Sequence, residues 1–307
     1  MLIHGNPFFI VLSAFVSSPQ PAHAATIYVG PSEAYKTIQA GIDAAVNGDR
    51  VIVRDGTYSG GGNRAITFNG KAITVKSQNG RQKCIVDGAG WAGNGFELKN
   101  GETSKSVISG FTIKNFSVLV GKGGIGIYCF SSSPTITNCT ISGNSDDGIY
   151  CNHSYTTITN SILWGNASGE ITVEGTNPRV TYSCVKGGYA GEGNINTDPL
   201  FFNAASGVFH IKPNSPCIDA GSPDISGLPE TDKDGNPRIV RDLVDMGAYE
   251  YCPSGLPTIA FGVIDGQAAE KRLNQGKLAV LQASSSAQFK RGLSREIGSQ
   301  CRWSVRA

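Results

Sequence analysis

Charge is scarce in this chain: Asp, Glu, Lys and Arg make up 16% of its 307 residues, against about 25% in an ordinary soluble protein. What charge there is nearly cancels, at a formal +2, so there is no broad basic surface for a nucleic acid. No Arg stands between Arg81 and Arg179, and leucine between Gly88 and Pro199 is limited to Leu98, Leu119 and Leu163. The second shortage excludes a leucine-rich array. None of the eight cysteines forms a C-x-x-C pair, which disfavours a zinc site. No stretch is apolar for the roughly 20 residues that a membrane span requires.

Glycine is abundant, at 40 residues, and Ser, Thr and Asn accompany it, a composition suited to short strands joined by many turns. The apolar run from Phe8 to Val16 and the small-residue exit Ala22-His23-Ala24 read as a secretory signal over residues 1–24, although its start has no Lys or Arg. Export follows from that reading, to the medium or the cell surface. At the other end, residues 253–307 hold 8 Lys/Arg against 3 Asp/Glu, while the rest holds 18 against 21. This basic tail lacks the strand alternation of residues 25–252 and reads as a mobile or attachment segment.

An internal repeat sets the architecture. GIYC at 126–129 returns at 148–151, TITNCTI at 135–141 returns as TITNSIL at 157–163, and Gly143-Asn144 returns as Gly165-Asn166, all at an offset of 22. A degenerate third copy keeps Ile127, Ile149 and Ile171 in line, with Ile136, Ile158 and Val180, and Ile141, Leu163 and Val185. Segments this short hold no core alone, but in a coiled chain each pairs in parallel with its equivalent about 4.8 Å away. The repeat therefore predicts an all-β parallel β-helix solenoid of about 22-residue coils, roughly seven or eight of them between residues 51 and 215. Asn144 with Asn166 and Asn138 with Asn160 are two candidate turn ladders.

The open ends of such a solenoid require caps. Ile38, Ile42, Ala45 and Val46 follow helical spacing and predict an N-terminal capping helix within 35–50. Residues 198–252 read as the C-terminal closing region. Between Phe111 and Cys139 the spacing is 28 rather than 22, which predicts a projecting loop near Val118–Gly124.

The segment YKTIQAGIDAAVNGDRVIVRDGTY at 35–58 resembles the cap and first coil of pectin-lyase-like right-handed parallel β-helix proteins. DPLFFNAASGVFHIKPNSPCIDAGSPD at 198–224 and DKDGNPRIVRDLVDMGAYEY at 232–251 are similar to the end of secreted bacterial β-helix proteins of the choice-of-anchor type. The resemblance implies a right-handed coil and a link to polysaccharides. It says little of activity, because one β-helix serves many functions.

Lyases of that fold commonly use an Arg base with acids that hold calcium, and the Arg-free centre of this chain does not supply one. Inverting glycoside hydrolysis requires two carboxyl groups about 6.5–9.5 Å apart, and the best candidates are Asp146 and Asp147 with His153 beyond them. The plainer reading is a solvated turn and a polar strand end. If Ile127, Cys129, Ile149 and Cys151 point inward, Tyr128 and Tyr150 point outward one coil apart. Flanked by the two Asp and His153, and extended by Trp164, they suit sugar rings. Equally, the tyrosines could only stiffen the sheet or lie under the 117–124 loop.

Asp232, Asp234 and Asn236, with Asp242 and Asp245 after them, collect oxygen ligands suited to calcium without a full calcium-loop pattern. Cys129 and Cys151 would lie at about the strand spacing, at or past the separation a disulfide accepts, and are predicted to be buried thiols. The reading is an exported β-helix that binds polysaccharide without catalysis or presents a rigid rod. A polysaccharide-degrading lyase or hydrolase acting on pectin-like acidic glycans and an adhesin-like protein-binding rod are the alternatives.

Overall fold

A computed structural model describes residues 24–78, 84–119, 122–224, 243–247 and 251, with the backbone of four short strands beyond residue 258. Almost all of the signal segment lies outside the described residues. In the tail, Ile259–Gly262 pairs in parallel with Trp303–Arg306, and Ala269–Arg272 pairs antiparallel with Leu278–Leu281.

Three parallel sheets form the sides of a solenoid of about 6 turns with coils near 24 residues. The first contains Thr26–Val29, Arg50–Val53, Thr74–Ser77, Val107–Ser109, Thr135–Thr137, Thr157–Thr159 and Arg179–Thr181. The second contains Gly56–Tyr58, Cys84–Asp87, Thr112–Lys114, Thr140–Ser142, Ile162–Leu163 and Cys184–Val185. The third is shorter, with Phe96–Leu98, Ile127–Phe130, Asp147–Asn152 and Gly169–Glu174. The turn count falls below seven or eight because the upstream coils are longer than 22 residues and the chain leaves the solenoid before residue 201. Phe201–Asn203 and Val208–Ile211 form an antiparallel pair instead.

The register is the one the repeat predicts. Ile127 pairs with Ile149 and Ile149 with Ile171; Ile136, Ile158 and Val180 form a second column, and Ile141, Leu163 and Val185 a third. Except for the half-buried Ile171, all are buried in one core. Burying each such aliphatic side chain stabilises the fold by about 1.5–3 kcal/mol.

Where one sheet gives way to the next, the chain turns through a single left-handed residue. Gly110, Asn138, Asn160 and Tyr182 turn the first sheet into the second, Asn115, Gly143 and Gly165 the second into the third, and Ser131, His153 and Gly175 the third into the first; all have φ between 47° and 88°. At six of these corners the residue just past the turn points its side chain inward and accepts the N–H of its equivalent one coil back. Cys139 N donates to Ser161 Oγ and Ser161 N to Ser183 Oγ, each at 3.2 Å. Phe116 N donates to Asn144 Oδ1 and Asn144 N to Asn166 Oδ1, again at 3.2 Å. Gly101 N donates to Ser132 Oγ and Ser132 N to Ser154 Oγ, also at 3.2 Å. The expected Asn144–Asn166 ladder is therefore one of three. Asn138 and Asn160 instead supply the left-handed corners, which Asn tolerates better than most residues.

Two of the ladders are stopped at the C-terminal end by different groups. Ser183 N donates to Asn194 Oδ1, and Asn166 donates from Nδ2 to Glu170 Oε2 at 2.5 Å. The loop after Val185 carries Asn194 and Tyr189 over the last coil, where Tyr189 packs on the core. Gly191 is needed there because a Cβ would meet Val180 O at 1.9 Å. At the N-terminal end the helix Ile38–Ala44 buries Ile38 and Ile42, capped by the Thr37 side chain. Val46, placed on the apolar stripe by spacing, is 63% exposed, because the helix has ended and Ala45 is already extended.

The predicted projecting loop is a tight antiparallel hairpin of Val118–Leu119 with Lys122–Gly123. Residues expected to close the end of the solenoid lie on its flank. Ile162 and Cys184 point out of the second sheet into a second core with Phe201, Phe209, Ile211, Cys217 and Met246. Ser222 N and Gly247 N hold this cover to Asn160 Oδ1 and O. Among the described residues no helix is long and apolar enough to cross a membrane.

Asn166 ties two coils and the Glu170 stop together, so Asn166→Ala is expected to destabilise the chain by at least about 2 kcal/mol, through the buried donors and acceptors it leaves unpaired. Urea unfolding at neutral pH measures the loss; a midpoint equal to wild type would contradict the ladder's role.

Candidate functional site

The outer face of the third sheet carries the residues singled out by the repeat. Phe96, Leu98, Ile127, Cys129, Ile149 and Cys151 are fully buried, so strand alternation turns the intervening side chains outward. Register then places Glu97, Tyr128, Tyr150 and Thr172 in one outward column, and Phe130, Asn152 and Glu174 in the next. Phe130 is 44% exposed.

Tyr128 and Tyr150 stack as parallel rings, with centroids 5.5 Å apart and planes 8° from parallel. Their adjoining faces are therefore spent on each other, and the pair offers solvent its edges and hydroxyls. Side chains around the pair are themselves held by one another. Lys99 Nζ lies 2.6 Å from Glu97 Oε2, and Asn152 Nδ2 donates to Glu174 Oε2 at 2.6 Å. A hydrogen bond to Glu174 pushes the Tyr150 phenol above its usual range, with some help from desolvation.

Asp147 begins the strand Asp147–Asn152 and is buried, whereas Asp146 beside it is half-buried. Thr172 Oγ1 donates to Asp147 Oδ1 at 2.6 Å. Burial pushes the Asp147 carboxyl above the usual carboxylate range; the Thr172 bond opposes this and the Asp146 charge adds to it. His153 lies at the other end of the same strand, in a left-handed corner with φ 49°, where its Nδ1 is 2.6 Å from Asn152 Oδ1. Six residues of extended chain separate Asp147 from His153, roughly 20 Å, so the structure does not bring this acid and this imidazole to one reacting centre.

Trp164 is also elsewhere. It follows Ile162–Leu163 on the second sheet and packs against the flank core, so it does not extend the tyrosine face. Of the residues that do extend it, Phe130, Asn152 and Glu174 were readable from the repeat, since a shift of 22 maps Phe130 onto Asn152 and Asn152 onto Glu174; Glu97 was not, because 31 residues separate it from its partner Tyr128. Asp232, Asp234 and Asn236, the candidate calcium ligands, lie outside the described residues, as does Asp242. Asp245 is buried and accepts from Asp219 N at 2.8 Å and from Tyr251 N. Among the described residues no group of three or more His, Cys, Asp or Glu could hold a metal ion. Cys129 and Cys151 are buried free thiols.

The family model described as the right handed beta helix region matches residues 40–198, more than half of the chain. Among solved structures, a pectin methylesterase variant in complex with a hexasaccharide is similar at 16% identity and a TM-score of 0.35, covering 53% of this chain and 66% of that one. The pectate lyase Pel9A is similar at 14% identity and a TM-score of 0.28, covering 75% of this chain and 97% of that one. No curated protein matches the sequence.

The raised Asp147 carboxyl sets a pH dependence. A group that holds its proton more tightly when folded contributes stability that is present below its ordinary value of 3.8 and is lost as pH rises through the folded value. Wild type is therefore expected to lose stability relative to Asp147→Asn as pH rises from about 3.8 toward neutrality. Denaturant unfolding across that range tests this; a difference that does not change with pH would contradict it.

Proposed function

The chain belongs to the right-handed β-helix family, and from that premise we propose that it is an exported, non-catalytic polysaccharide-binding protein. The glycan lies along the outer face of the third sheet, across successive coils. One observation carries this reading: a row of outward side chains, in register over four coils, sets a stacked aromatic pair between hydrogen-bonding groups at both ends. Side chains already held by one another lose little freedom when a ligand arrives, which favours binding by a rigid surface. Phe130 adds an exposed apolar ring for sugar C–H groups, while the tyrosine hydroxyls, Asn152 and Thr172 suit sugar hydroxyls.

The charges on the face favour a neutral glycan. Glu97 and Glu174 lie on it and Asp147 at its border, against Lys99 as the cation, itself paired with Glu97. An acidic polymer would meet repulsion there. The second reading, depolymerisation of an acidic glycan, is favoured by the raised Asp147 carboxyl beside Asp146, in the role of general acid. The roughly 20 Å between Asp147 and His153 counts against it.

On a glycan array covering neutral and acidic polymers, the chain is expected to retain neutral glycans. Tyr150→Ala and Phe130→Ala should each weaken that binding by about tenfold, near 1.4 kcal/mol, with unchanged thermal unfolding. Unaltered binding in both variants would overturn the face. Release of reducing ends or unsaturated products from polygalacturonate, lost in Asp147→Ala, would establish the enzyme reading instead.

A further inference from the structure

The first strand begins beside a buried carboxylate that the proposed glycan face does not use. Asp49 lies between the capping helix Ile38–Ala44 and the strand Arg50–Val53 and is only 5% exposed. Its Oδ1 accepts Ala25 N at 2.8 Å and its Oδ2 accepts Val46 N at 2.9 Å. Ala25 is also held by its carbonyl, which accepts Arg50 N at 2.9 Å. None of the ion pairs among the described residues involves Asp49. Its partners there are two neutral N–H groups, whereas a buried charge is ordinarily matched by a counter-charge.

This carboxylate coincides with the end of the secretory signal read from the sequence. Ala24 and Ala25 are exposed, and from Thr26 the chain is paired in register with Arg50–Val53. Of the described residues, Ala25 is the first in sequence that the fold holds by both its N–H and its carbonyl. It is also the residue that follows the Ala22-His23-Ala24 exit.

We propose that Asp49 is the receptor for the α-ammonium created when the chain is cut between Ala24 and Ala25. The pairing depends on export, as proposed above, and is independent of the glycan face. Hydrolysis by a leader peptidase adds one water across the Ala24–Ala25 amide. The water oxygen goes to the Ala24 carbonyl carbon, which leaves as a carboxylate, and its two protons go to the Ala25 nitrogen, which becomes an ammonium. That nitrogen already lies 2.8 Å from Asp49 Oδ1, so processing turns a neutral hydrogen bond into a stronger, charge-assisted one and supplies the buried carboxylate with its cation. The strand fastened in this way packs Val29 against the helix so closely that a Cβ on Gly41 would meet Val29 Cγ2 at 2.3 Å. The new terminus therefore anchors the end of the solenoid on which the cap sits.

The full chain is expressed with its leader in a secreting host, and the product is digested with an endoproteinase that cuts after Glu. No Glu precedes Glu33, so the mass of the first peptide reports the cut, and residues 25–33 are expected. Acylation of the native secreted chain before digestion should label the Ala25 α-amine at least about tenfold more slowly than acylation in denaturant, because an adjoining carboxylate keeps an ammonium protonated. Asp49→Asn should remove that protection and leave lysine labelling unchanged; the native-to-denatured ratio is read on wild type, so a variant that misfolds does not obscure it. A first peptide of residues 1–33 would overturn the proposal together with export. A cut at another bond, or an Ala25 amine labelled equally fast in native and denatured chains, would overturn the pairing and leave export standing.

Discussion

A chain that turns three corners per coil strands backbone N–H groups just past its corners, most of them buried in the core. Leaving such a group unpaired costs about 1–3 kcal/mol, and there are several corners to satisfy. This protein meets the demand with one device used on all three edges: a left-handed residue turns the chain, and the next residue's side-chain oxygen receives the N–H from the coil before. Ser161, Ser183, Asn144, Asn166, Ser132 and Ser154 all serve in this way. The acceptor lies in the neighbouring coil, so each corner fixes the register of two coils. A one-residue slip would unpair the corners and turn every aliphatic column to solvent.

The same register determines what the surface can do. Columns that stack isoleucine on isoleucine inside must stack their alternates outside, which is how Tyr128 comes to lie on Tyr150. It also sets what the surface cannot do. Residues at the two ends of one strand, such as Asp147 and His153, stay a strand's length apart, so chemistry on this scaffold must be assembled across coils at one edge. The outward face of the second sheet follows the same rule with apolar residues, and there the chain covers itself.

Much of this was legible in the sequence because the last three coils keep a constant length. The 22-residue offset aligned Ile127, Ile149 and Ile171, and with them the outward tyrosines. The upstream coils vary in length, from 24 residues between the first strands to 33 between Thr74 and Val107, so dividing by 22 overcounted the turns. The serine ladders went unread because Cys139, Ser161 and Ser183 look like ordinary turn chemistry when seen one coil at a time. The flank cover left a trace that was passed over. Outward positions of the first sheet are Thr135, Thr137, Thr157 and Thr159, whereas those of the second include Ile162 and Cys184, too apolar to face water. Trp164 was misplaced for that reason: counted outward, it does point away from the solenoid core, but into the cover.

The corner ladders are tested most directly by native-state amide hydrogen exchange. The N–H groups of Ser132, Cys139, Asn144 and Ser161 stand outside every strand except by way of these side-chain acceptors. The account predicts that they exchange only through global unfolding, as slowly as the amides of Ile136 and Ile149 in the strands beside them. Exchange at the rate of exposed turn amides, with the strands still protected, would contradict it.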